Sequence, residues 1–64
     1  MITLTPREIA ILRLVAQGLR DKDIAAKLET THGAIRTHLS VVYKKLGVGS
    51  RVQAVNAARK KGLL

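Results

Sequence analysis

Sixty-four residues without a cysteine make one domain, 1–64, and exclude disulfides and thiolate metal sites. No run of 18 apolar residues is present, and Met1-Ile2-Thr3-Leu4 lacks the basic and long apolar regions of a signal peptide, so neither a membrane span nor a leader is expected. The net charge of +8 is one-sided: residues 1–29 carry five bases and four acids, residues 30–64 seven bases and no acid, a field that attracts polyanions.

The first helix is expected over 6–17. Thr5-Pro6-Arg7-Glu8 is a complete start, with Thr5 as cap, Pro6 where its missing N–H costs nothing and Glu8 able to reach back. Ile9, Ile11, Leu12, Val15 and Ala16 form its inward arc. Glu8 also projects toward the apolar side, where a carboxylate beyond its capping role needs a basic or N–H partner. Gly18 stops the helix. Asp21 is read as the N-cap of a short helix over 22–28, with Ile24, Ala25 and Leu28 inward. Glu29-Thr30 forms the turn, and Glu29 stands where a left-handed glycine is often wanted, so the turn either avoids positive φ or is strained there.

Thr31 caps a long helix over 32–46. Ile35, Leu39, Val42 and Leu46 make one apolar stripe, and Gly33, Arg36, Thr37, Ser40 and Lys44 lie opposite. Tyr43 leans toward the core, and Val48 packs back after the Gly47 stop. Ser50 caps a fourth helix over 51–61, where Val52, Ala54, Val55, Ala57 and Ala58 spread their apolar surface over a wide arc. One side closes the core; the other, shallow and alanine-rich, is assigned to a second copy of the chain, with all five residues as the candidate interface. Leu63 and Leu64 either pack back or fray.

The plan is an all-α four-helix bundle containing a helix-turn-helix, whose slim cationic outer face on helix 32–46 suits the major groove of DNA. Arg36 is the candidate for a bidentate guanine contact, Thr37 and Ser40 for weaker polar or thymine-methyl contacts, and Lys44 and Lys45 for the backbone. Thr31 and the free amides behind it are placed near phosphate. A single aromatic argues against base-stacking on single strands and against an interfacial membrane helix. The competing class is a protein-interaction module docking its basic helix on an acidic partner such as polymerase. Enzyme chemistry is not expected. His32 and His38 fall on opposite sides of their helix, no acid in the basic half pairs with His38, and no Gly-rich phosphate loop is present. No catalytic residue, metal or cofactor is assigned.

Leu-Thr-Pro-Arg-Glu at 4–8, Ala-Gln-Gly-Leu at 16–19, Lys-Asp-Ile-Ala at 22–25, Ile35, His38-Leu39, Lys45-Leu46-Gly47-Val48, Ser50-Arg51 and Gln53-Ala54-Val55 fall in register. Together they resemble the DNA-binding domain of LuxR/FixJ-type (GerE-like) bacterial transcriptional regulators over residues 4–64. Region 4 of sigma factors shares the Pro-Arg-Glu start but lacks the fourth helix. The resemblance implies a third helix in the major groove of double-stranded DNA and a fourth forming a symmetric homodimer. It places Arg36, Thr37 and Ser40 at groove-facing positions, and Lys22, Thr31 and Lys44 or Lys45 at phosphate. Gly33, on the same outer face, stands where the family commonly has a charge. Most members have Gly-Ile at Glu29-Thr30, Thr at Ala34 and a polar residue at Val41. The resemblance further implies a cytoplasmic output domain of a two-component response regulator or a ligand-sensing regulator, with RNA polymerase as a further partner.

Overall fold

The computed structural model describes residues 3–64, so the reading of the chain's start as no leader falls partly outside the described residues. Four helices and no strand are found among them: α1 (Pro6–Ala16), α2 (Asp21–Lys27), α3 (His32–Leu46) and α4 (Arg51–Lys60). α1 and α4 start as expected and end one residue early, α2 lies one residue earlier at both ends, and the bounds of α3 are met.

Local chemistry explains three of the four starts. The Thr5 hydroxyl accepts the Glu8 amide at 3.1 Å while Glu8 Oε1 accepts the Thr5 amide at 2.8 Å, the reciprocal box that the sequence anticipates. Thr31 accepts the Ala34 amide at 3.0 Å, and Ser50 accepts that of Gln53 at 3.2 Å. The fourth start corrects the sequence reading. Asp21 is the first residue of α2 rather than its cap; Arg20 holds the cap position and makes no side-chain capping bond. The Asp21 carboxylate is occupied elsewhere, accepting from Arg51 Nη1 of α4 at 2.6 Å.

All four helices end alike. A residue in the left-handed region lets the next amide reach five residues back: Leu19 to Leu14, Thr30 to Ala25, Val48 to Tyr43 and Leu63 to Ala58, at 2.8 to 3.1 Å. Glycine supplies the left-handed residue at 18, 47 and 62. In the helix-turn-helix turn it is Glu29, at φ 56°. The strained alternative for this turn is therefore the one adopted.

The core forms where the helices meet. Ile11 and Leu12 of α1, Ile24 of α2, and Ile35 and Val42 of α3 are fully buried. Leu4, Leu39 and Leu46 join them, with Tyr43, Val48, Leu63 and Leu64 packed partly buried against the cluster. The C-terminal leucines thus pack back. Leu14, which the helical arc left out, is buried as well. α1 and α3 each touch all the other helices; the α3 stripe is buried among them and its opposite side is left to solvent.

α4 corrects a second expectation. Of the five residues assigned to a second copy, Ala54 and Ala58 have no exposed surface and Val55 is buried, all three within this chain's own core. Ala57 is half-buried, and Val52 alone projects, at 70% exposed. An alanine-rich helix can lie close to its neighbours, and here the neighbours are α1 and α3 of the same chain.

Candidate nucleic-acid interface

α3 is held at both ends. Its N-terminus is capped by Thr31, and the amides of its first turn otherwise lie open. Near its C-terminus Lys45 Nζ donates to Glu8 Oε1 at 2.8 Å and to the Thr3 carbonyl at 3.3 Å. Glu8 is only 4% exposed. Burial opposes its ionisation, but the Lys45 bond and charge, with the Thr5 amide and hydroxyl, outweigh it and hold the carboxyl below its ordinary value. Glu8 is therefore both a capping residue and the base on which α3 is anchored to α1. The basic partner that the sequence asks of Glu8 beyond its cap is thus present; which base supplies it, Lys45 thirty-seven residues away, local pattern does not say.

The second tie lies on the other flank. Arg51 donates through Nη1 to Asp21 and through Nη2 to the Leu19 carbonyl, fastening α4 to the entrance of α2. His32 Nε2 lies 3.8 Å from the second Asp21 oxygen. Tyr43 packs nearby; burial raises its hydroxyl pKa, with opposing contributions from Arg51 (lowering) and Asp21 (raising). Lys45 and Arg51, two of the seven cations in the basic half, are thus engaged with acids of the balanced half.

Between these ties α3 presents its free side. Gly33, Arg36, Thr37, Ser40 and Lys44 are all exposed, and α3 itself places no acid among them. Arg36 and Ser40 line a shallow depression with Asp21, Leu39 and Tyr43. Thr31 and Lys22 are exposed at the N-terminal ends of α3 and α2, where Lys22 shares a second depression with Arg20, Asp21, His32 and Arg51. Of the eight residues assigned to DNA, seven are exposed around one surface; Lys45 alone is turned away, toward Glu8. The arrangement can do what a cationic, hydrogen-bonding ridge does: enter a groove and meet phosphate on either side.

The comparison with known proteins fits this geometry. The profile of bacterial regulatory proteins, luxR family (GerE), matches residues 2–58. The chain belongs to the luxR family. A LuxR-type fold is also seen in the transcription factor GerE, which superposes with a TM-score of 0.91 at 36% identity over 95% of this chain and 91% of that one. The response regulator ChrA of a heme-sensing two-component system superposes at 0.95 with 44% identity, over 97% of this chain but 31% of that one. A protein of Mycobacterium tuberculosis named as an HTH-type transcriptional regulator is 48% identical over 60 residues, 94% of this chain and 7% of the relative. The chain therefore spans a small part of such relatives. It is a LuxR-type helix-turn-helix domain, the DNA-binding module of transcriptional regulators. No helix among the described residues is long and apolar enough to cross a membrane.

Proposed function

We propose that this single domain binds double-stranded DNA sequence-specifically in bacterial transcription regulation, with α3 in the major groove. What supports the reading is the exposed, acid-free side of α3 opposite its fully packed stripe. Arg36 is the principal base contact, bidentate to guanine, and Thr37 and Ser40 supply weaker ones. Gly33 adds no side chain where the helix approaches the base edges. Lys22, Thr31 and Lys44 hold phosphate and fix register. Lys45 contributes by anchoring α3 through Glu8 and adds to the general positive field.

The domain acts as an output module for a receiver or ligand-sensing domain within a longer cytoplasmic regulator. It has no catalytic step of its own, and RNA polymerase is its further partner. Two copies bind paired half-sites. The α4 contribution to that pairing is its outer edge, where Val52 stands with Asn56 and Arg59 over a shallow groove floored by Val15, Ala16 and Val55.

Selection from random duplexes tests the reading, followed by titration of Arg36→Ala. Loss of preference at one base pair, worth about 1–3 kcal/mol, is expected. Uniform weakening on all sequences, with a salt slope reduced by about one unit, would make Arg36 a phosphate clamp instead.

A further inference from the structure

Val41 lies outside the hydrophobic core and is not among the residues packed against it. It is a large hydrophobic left 40% exposed, sharing that condition only with Val52 on α4 among the described residues. Its isopropyl group fills no core space. A β-branched residue at an open helical position also gives up side-chain freedom, so folding alone does not select it.

Its position on α3 is more informative. Val41 stands one turn beyond Thr37 and two turns beyond Ala34, so the three share a strip along the helix. Ala34 is half-buried and Thr37 is exposed. The strip offers the Ala34 methyl, the Thr37 methyl and the Val41 isopropyl group in line. Arg36 and Ser40 lie on the opposite flank, toward Asp21 and Tyr43. Lys45, the next charged residue on the Val41 side, is directed away to Glu8. The outer side of α3 is therefore divided lengthwise into a polar, cationic flank toward α2 and a methyl-lined flank toward α1.

We infer that Val41 reads the 5-methyl group of thymine, with Thr37 beside it. The inference rests on the groove reading of α3. On the major-groove edge of a base pair the thymine methyl is the apolar feature such a strip can match; the remaining groups are donors and acceptors. The two flanks then divide recognition: Arg36 takes guanine by hydrogen bonds, and the Ala34–Thr37–Val41 strip takes thymine by contact.

The test uses the 64-residue chain. Selection on random duplexes comes first; an enriched sequence containing thymine is expected, and failure to enrich any sequence overturns the groove reading and this inference together. Each thymine of the enriched duplex is then replaced singly by 2′-deoxyuridine, which deletes the methyl and keeps the pairing. One replacement weakens the wild-type chain about fourfold, the factor that burial of one methyl-sized group carries. Val41→Ala binds the thymine and uracil forms of that duplex alike, with unchanged helical content by circular dichroism. Val41→Thr, which keeps one methyl, retains part of the preference. Indifference of the wild-type chain to every replacement, or full retention of the thymine preference by Val41→Ala, overturns the role of Val41 and leaves the groove reading standing.

Discussion

Glu8→Gln tests whether α3 is anchored through an ionised carboxylate. The substitution keeps the shape and an acceptor for the Thr5 amide but removes the charge that faces Lys45 Nζ at 2.8 Å. A hydrogen bond to a charged group contributes about 1.5–3 kcal/mol. The Lys45 side chain is 34% exposed, so its freed ammonium can turn to water, and the loss settles near ~2 kcal/mol rather than the ~3–5 kcal/mol of a fully buried pair. In a domain of this size that lowers the melting temperature by roughly 8–16 °C. Lys45→Met costs more at neutral pH, because it leaves a carboxylate that is 4% exposed with the Thr5 groups alone. The pH dependence separates the cases. In the wild-type chain the folded pKa of Glu8 lies below its ordinary 4.5. Its contribution is therefore fully present above 4.5 and lost as pH falls through the folded value. In Lys45→Met burial is opposed by the Thr5 groups alone, so the folded pKa rises from its wild-type value and the loss of stability on acidification becomes smaller than in wild type. Thermal melts followed by circular dichroism from about pH 3 to about pH 7 read both effects, and Glu8→Gln supplies the baseline for the other acids. If wild type and Glu8→Gln lose stability in parallel over that range, the Glu8 pKa is the same folded and unfolded and the anchor as described does not exist.

Glu29→Gly should stabilise the chain. Relief of a left-handed non-glycine residue is worth about 1–2 kcal/mol, and the greater freedom of glycine in the unfolded chain returns part of it, about 0.5–1 kcal/mol. A melting temperature that is unchanged or lower would remove strain from the account of the turn. Ala58→Glu should abolish cooperative melting, because a carboxylate would enter a site with no exposed surface, whereas Val52→Glu should melt like wild type and weaken binding only to a two-half-site duplex. Equal melting of Ala58→Glu and wild type would mean that the buried face of α4 is misassigned, and unchanged cooperativity of Val52→Glu would remove α4 from the pairing of copies.

What was legible in the sequence follows from the kind of signal each element carries. α3 has full contrast between its faces, so the stripe Ile35, Leu39, Val42 and Leu46 could be read directly, and all four residues are buried. The caps Thr5, Thr31 and Ser50 and the stops Gly18 and Gly47 are local chemistry and need no tertiary knowledge. α4 has little such contrast. Alanine and valine lie around much of its surface, so periodicity does not say which side α1 and α3 cover, and does not separate the buried Ala54, Val55 and Ala58 from the exposed Val52. Asp21 failed as a cap for a different reason: its partner Arg51 is thirty residues away and unreadable from local pattern. Lys45 is the same case, with Glu8 thirty-seven residues distant. Local rules hold until a long-range charge competes for the same side chain.

That competition bears on how the basic half works. Its seven bases without an acid suggested a uniformly cationic surface. The fold instead spends Lys45 and Arg51 on Glu8 and Asp21, one on each side of α3. Each tie joins an acid of the scaffold half to a base of the cationic half, so the two halves are locked together by the same charges that distinguish them. The net field on a distant polyanion is unaltered, since an internal pair leaves the total at +8. The local charge is altered. On the exposed side of α3 only Arg36 and Lys44 carry full charge, placed two turns apart. Between them lie Thr37, Ser40 and, on the flank, Val41, which discriminate by hydrogen bond or contact rather than by charge. Long-range attraction is thus assigned to the whole half and base reading to a short, weakly charged segment. Salt should therefore change affinity far more than it changes the preferred sequence.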